Sequence, residues 1–204
     1  MLEIKNGILS GVEYPATSAD INFSVDAGEM LCIYATHDEY VTAIIRSILG
    51  LQPLKSGFVT VGGDVVDASS AAYFRNMFSY VPHHLDMPLD KMSDVLSYSF
   101  EKENYVTKKM LKEELNRFGI DGALLDSDYN KLPKHIVQLV LIIVAVLTDR
   151  PYLIIDKLYS DISASLLMPY LKDYASEKHS VIIVSDDEDI RRACNKSLIL
   201  DINA

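Results

Sequence analysis

The segment GEMLCIYATHDEYVTAIIRSILG, residues Gly28 to Gly50, governs the interpretation of the whole chain. Met30 to Tyr34 are apolar and partly β-branched, which predicts a buried strand. Val41, Ile44, Ile45, Ile48 and Leu49 then repeat at helical spacing, and Gly50 stands where a helix would stop. Strand, short loop, helix is the layout of a phosphate-binding loop. In such a loop, glycines let backbone N–H groups wrap a triphosphate and a lysine reaches its outer phosphates. Here the loop is Ala35-Thr36-His37-Asp38-Glu39-Tyr40, with the helix expected to begin near Tyr40. Neither glycine nor lysine occurs from Glu29 to Leu49. The scaffold is that of a phosphate loop, whereas the groups that hold phosphate are replaced.

INFSVDAGEM (Ile21 to Met30) leads into this segment and SILGLQPLKSGFVTVGGDVV (Ser47 to Val66) leads out of it. FSYVPHH (Phe78 to His84), MSDVL (Met92 to Leu96) and LPKHIVQLVLIIVAVL (Leu132 to Leu147) follow, then PYLIIDKLYSDIS (Pro151 to Ser163) and VIIVSDDEDI (Val181 to Ile190). Taken in order, the chain resembles the ATP-binding domain of ABC transporters, in the P-loop NTPase superfamily. The segments fall at its Walker A region, Q-loop, helical subdomain, signature, Walker B with D-loop, and switch strand. The resemblance spans nearly the whole chain. It implies an α/β fold with a mainly parallel core sheet, an N-terminal antiparallel β region and a helical subdomain. One domain is expected over residues 1–204, with core 1–87 and 132–204 and helical subdomain 88–131.

The same resemblance assigns positions to functional residues. Thr36, His37, Asp38, Glu39, Tyr40, Val41 and Thr42 occupy the phosphate loop, with Val41 at the Walker lysine and Thr42 at the magnesium-binding hydroxyl. Valine supplies no cation, and Asp38 and Glu39 lie where phosphates would sit. Like charges about 4 Å apart repel by several kcal/mol at an effective dielectric near 20. Carboxylates at that point also suit the positive end of the following helix. Asp156 ends the Walker B strand where a carboxylate would hold magnesium, and Lys157 stands at the catalytic glutamate. An ammonium does not act as general base for water unless its pKa is strongly depressed. Asp186 replaces the switch histidine and His83 the Q-loop glutamine, His83 and His135 otherwise reading as surface histidines. Leu132, Pro133, Lys134, His135 and Ile136 replace the signature, with a proline and without its glycines. These replacements share one explanation, a dismantled ATPase.

A structural expectation follows from the convergence of these loops in the family fold. Lys157 should ion-pair with at least one of Asp156, Asp186, Asp38 and Glu39, in the space of magnesium and phosphate. Tyr14 is a weak candidate for an adenine-stacking aromatic.

Composition bounds the alternatives. The chain has 204 residues, 49% of them hydrophobic, enough for one substantial core. A net charge of −10 disfavours nucleic acid as a partner and offers no basic footprint for a membrane surface. No apolar run reaches the roughly 18–20 residues needed to span a bilayer, Ile136 to Leu147 being interrupted by Gln138. MLEIKNG lacks the regions of a signal peptide. Cys32 and Cys194 show no disulfide or metal spacing, so a reduced, cytoplasmic protein is expected.

Locally, Asn6-Gly7 and Ala27-Gly28 are expected turns in an antiparallel region, and Arg75 to Val81 an expected strand. Met92 to Phe100 and Thr107 to Phe118 read as helices ending near Gly119 and Gly122. Asp186 to Asp189 reads as a helix N-terminus. The leading functional reading is a non-catalytic subunit, structural or regulatory, with no bound cofactor. It would be peripheral on the inner face of the membrane through a permease, or paired with another ATP-binding subunit or a second copy of itself. His83, Leu85, Met87 and Met92 mark the cleft where a permease helix would dock. Two alternatives are a working subunit that hydrolyses magnesium-ATP with atypical motifs, and a stand-alone module binding another small ligand.

Overall fold

Strands buried on both faces carry continuous apolar runs, and three segments do so: β3 (Met30–Ala35), β7 (Tyr152–Ile155) and β8 (Ser180–Val184). With β6 (Phe78–Val81) and β9 (Lys196–Leu200) they form a parallel sheet ordered β6-β7-β8-β3-β9. Leu153 pairs with Val181, Leu31 with Ile182, and Leu31 on its other side with Lys196. The computed structural model describes residues 1–12, 20–35, 37–98, 106–176 and 178–200.

Successive strand residues face opposite sides, which divides the core in two. Met30, Leu153, Ile155, Val181 and Ile183 pack on one side. There they meet α4 (Lys134–Leu147), α5 (Ala164–Tyr174), α6 (Glu188–Ala193) and α3 (Lys108–Arg117). Leu31, Ile33, Ile154, Ile182 and Val184 face α1 (Asp38–Ile48) and a second, antiparallel sheet. That sheet runs β2-β1-β4-β5, formed by β2 (Ile21–Val25), β1 (Leu2–Ile8), β4 (Ser56–Val61) and β5 (Asp64–Val65). The α/β architecture with a mainly parallel core and an N-terminal antiparallel region is as expected. Among the described residues no helix is long and apolar enough to cross a membrane.

Several local expectations need correction. The phosphate-loop helix begins at Asp38, not near Tyr40, so Tyr40 and Val41 are helical and buried in the core. The acids in that first turn satisfy the positive helix end, which favours the earlier start. Asn6-Gly7 is not a turn: β1 runs through it with a register shift, Asn6 adopting φ 48° and its N–H bonding to Asn22 Oδ1. The reason lies across the sheet, where Gly57 lies against the Lys5 and Asn6 carbonyls and leaves no room for a Cβ. Arg75 ends a short helix, α2 (Ala71–Arg75), and the strand starts only at Phe78. Met92–Tyr98 is a 3-10 helix, and Phe100 lies outside the described residues. Gly119 follows α3 at φ 70°, but Gly122 opens a 3-10 turn, Gly122–Asp126, capped by Asp121. Asp187 caps α6 through the Asp189 and Ile190 amides, as its acidic run suggested.

Candidate functional site

All strands of the central sheet point the same way, so the loops after β3, β6, β7 and β8 gather at one edge. This is where ligands bind in open parallel sheets. Asp38 follows β3, His83 follows β6, Asp156 and Lys157 follow β7, and Asp186 follows β8. The sequence-derived positions therefore converge.

At their centre Lys157 Nζ lies 2.9 Å from Asp38 Oδ1 and 2.8 Å from Oδ2. The expected ion pair is present, and Asp38 is the acid chosen. The ammonium's hydrogen bond, reinforced by its charge, holds the Asp38 carboxyl below the usual carboxylate range against a smaller opposing effect of burial. Lys157 reaches across with its backbone at φ 49°, a left-handed conformation that side chains disfavour. Neighbouring bonds fix it there. The Asp156 N–H donates to Val81 O at 2.9 Å and the Leu158 N–H to Val184 O at 3.0 Å. The Lys157 carbonyl accepts from His83 Nδ1 at 3.1 Å and from Gln138 Nε2 at 3.3 Å.

Sequence reading missed Gln138, treating it only as a break in an apolar run. It is completely buried in α4, and its Oε1 accepts from the Tyr159 N–H at 2.9 Å. A polar residue inside an apolar helix was the available signal, because buried amides need partners. His83 is half-buried rather than a free surface histidine: its ring stacks on Tyr159 at 5.0 Å, and Tyr159 Oη donates back to His83 O. Asp156 accepts a 2.8 Å hydrogen bond from Tyr80 Oη. Burial and then the Asp156 carboxylate push the Tyr80 phenol well above its ordinary value, so it remains a donor.

Two small cavities, of about 200 and 70 Å³, adjoin the ion pair and share Asp38, Val41, Lys157 and Val184 in their walls. Asp186 lines the larger, while Thr42, His83, His84 and Asp156 line the smaller. Glu39 and Thr42 are exposed on α1, His37 caps it without a side-chain bond, and Thr36 and Tyr14 lie outside the described residues. The signature positions form a separate group at the start of α4. Pro133 is its N-cap residue, Leu132 and Ile136 are half-buried, Lys134 Nζ lies 3.6 Å from Asp86, and His135 Nδ1 lies 3.9 Å from Asp161.

The docking residues expected near the helical segment divide differently. Leu85 and Met92 are 2% and 0% exposed and belong to the core. Met87 instead lines an apolar groove of about 320 Å³ with Val81, Pro82, Val95, Leu141 and Val144.

No family model matches the chain. It is 25% identical over 195 residues to the ribose import ATP-binding protein RbsA 1 of Rhizobium meliloti, covering 88% of this chain and 39% of that protein. It is 23% identical to the ergothioneine transport ATP-binding protein EgtV of Helicobacter pylori, covering 90% of this chain and 89% of that one. A solved ATP-binding subunit of an ABC transporter superposes with a TM-score of 0.79 at 22% identity, over 100% of this chain and 88% of its own. The dimeric ATP-binding cassette MJ0796 with ADP and Pi superposes with a TM-score of 0.78 at 16% identity, over 100% and 97%. The resemblance first seen in the order of the sequence segments stands as a likeness of fold: this chain has the fold of the ATP-binding domains of ABC transporters.

Proposed function

We propose that this chain is a non-catalytic counterpart of ABC-transporter ATP-binding subunits. It serves a structural or regulatory part in an assembly with a membrane permease, another ATP-binding subunit or a second copy of itself. One observation carries the reading: the Lys157 ammonium holds both carboxylate oxygens of Asp38 at the mouth of the phosphate loop. A triphosphate entering there must part this pair and then face the Asp38 carboxylate. That carboxylate repels the phosphate oxygens, though its 76% exposure lets water screen the repulsion.

The residues present do not fit magnesium-ATP. Asp156 already accepts the Tyr80 hydroxyl, Val41 is buried without a charge to offer, and Lys157 stands beside Asp156 where a general base would be needed. The reading therefore includes no nucleotide and no metal. Residues 88–131 act as the helical subdomain, and the groove around Met87 between that segment and α4 takes a cytoplasmic helix of the permease. On this reading the protein works at the inner face of the membrane.

A second reading, a working transport ATPase, is favoured by the transport proteins among its relatives and by Thr42, exposed on α1 near Asp156. Phosphate release from magnesium-ATP by the purified chain separates the two. The proposal expects release no faster than buffer. Turnover that disappears in Asp156→Asn establishes the ATPase instead.

A further inference from the structure

Helix α1 carries Asp38 at one end, and its other end, about 14 Å further along at 1.5 Å per residue, forms the floor of a separate pocket. Tyr40, Ala43 and Ser47 recur there at helical spacing on one buried face. Gly50 closes the helix by donating its N–H to the Ser47 carbonyl, and a Cβ added to it would meet Val66 and Ala71. This end of α1 therefore abuts the segment between β5 and α2. Above that junction lies a pocket of about 340 Å³ with walls from Leu51, Leu54, Phe58, Val59, Val65 and Val66, and Ser47 lines it from the helix. An apolar cavity of roughly 150 Å³ already takes benzene, so there is room for a ring. Leu51, Phe58 and Val65 are exposed, and large apolar side chains clustered on a surface mark binding sites.

Three polar side chains line this pocket among the described residues: Gln52, Asp67 and Ser47. Two of them are engaged elsewhere. Gln52 Nε2 donates to the Ser10 carbonyl, and Asp67 Oδ1 accepts from the amides and hydroxyls of Ser69 and Ser70. Ser47 differs. It is 3% exposed, and its hydroxyl has no hydrogen-bond partner, not even the Ala43 carbonyl to which a helical serine commonly turns back. A buried polar group left in this condition destabilises the fold, and a ligand atom that pairs with it removes the penalty.

We propose that this pocket binds an uncharged, largely apolar ring compound with one hydroxyl, such as a simple phenol, whose oxygen pairs with Ser47 Oγ. The hydroxyl is shielded from water, so the ligand oxygen reaches it as the exposed Leu51 side chain turns aside. No cation lines the walls to hold an anion, and the one carboxylate there, Asp67, is occupied by its own serines. The apolar walls take the ring, and Ser47 fixes its orientation. This site stands apart from the Lys157–Asp38 pair and does not depend on whether the chain binds nucleotide.

The test uses the full chain with isotope-labelled leucine and valine methyl groups, titrated with 4-methylphenol and separately with toluene, which has the same ring and no hydroxyl. Both should give saturable shifts of the Leu51, Leu54, Val59, Val65 and Val66 methyl signals. The phenol should bind about tenfold more tightly, as one hydrogen bond to a stranded buried group provides. Ser47→Ala removes only that stranded hydroxyl, so it should fold and should bring the two affinities together. Ala68→Trp, at an exposed position in the wall, should abolish binding of both probes. Absence of saturable shifts, equal affinities in the wild type, shifts centred instead on Val95 and Val144 in the groove around Met87, or a preference for the phenol that survives Ser47→Ala overturns the proposal.

Discussion

Replacing Lys157 by alanine and by glycine separates two effects that reside in one residue. Its side chain is 42% exposed and that of Asp38 76% exposed, so water screens their attraction. An ion pair this exposed contributes about 0.2–1 kcal/mol. The backbone at φ 49° acts in the opposite direction, because a residue with a Cβ pays about 1–2 kcal/mol in the left-handed region. Lys157→Ala removes the pair and keeps the strain, so it should lower stability by about 0.5 kcal/mol. Lys157→Gly also removes the pair but releases the strain, at an entropic cost of about 0.5–1 kcal/mol. It should therefore match the wild type closely and exceed alanine by about 0.5–1 kcal/mol. Urea unfolding of the three proteins, with unchanged slopes, reads these differences as midpoint shifts. Repeating the series near 1 M salt should shrink the gap between wild type and alanine and leave that between alanine and glycine intact. A loss above about 2 kcal/mol in Lys157→Ala, or a glycine variant weaker than alanine, refutes this account of the site.

Other consequences follow from the same contacts. Gln138→Leu strands the half-buried Tyr159 N–H and should cost about 1–3 kcal/mol, visible as a lower thermal midpoint. Gly57→Ala meets the Lys5 and Asn6 carbonyls and needs φ 78°, so it should lose about 2 kcal/mol or more in urea unfolding, or fail to accumulate as folded protein. The Asp67 carboxylate accepts from the amides and hydroxyls of Ser69 and Ser70, led by the Ser69 hydroxyl, and its pKa falls to about 2. Asp38 is also lowered, through Lys157. Both favour folding above the unfolded carboxylate value of about 3.9, and that contribution is lost as pH falls through the lower folded values. Urea midpoints should therefore drop below about pH 4, and Asp67→Asn should flatten the drop.

The order of apolar strands and amphipathic helices was legible because each signal lies within a few residues. The pairing of Lys157 with an acid was legible too, since it needed only charge signs and the convergence of loops in a parallel sheet. What escaped depends on contacts across the fold. Nothing local distinguishes a turn at Asn6-Gly7 from a bulge, as the choice is made by pairing of β1 with strands on both sides. Asn195, whose Oδ1 accepts the Met30 N–H at 2.8 Å, reaches β3 only through the long connection that returns β9 beside it. His83 reads as a surface residue until Tyr159 and the Lys157 carbonyl are placed against it. Gln138 carried a signal, a lone amide in the apolar run of α4, but its partners arrive from the loop after β7.

The account rests on the claim that an ion-paired carboxylate and a buried valine exclude polyphosphate from the loop after β3. Calorimetric titration of the full chain with magnesium-ATP, at neutral pH and moderate salt, addresses that claim without any partner. No heat beyond dilution, and no thermal shift in the same buffer, is the predicted result. Saturable binding at micromolar nucleotide that is abolished by Thr42→Val or Asp156→Asn contradicts it.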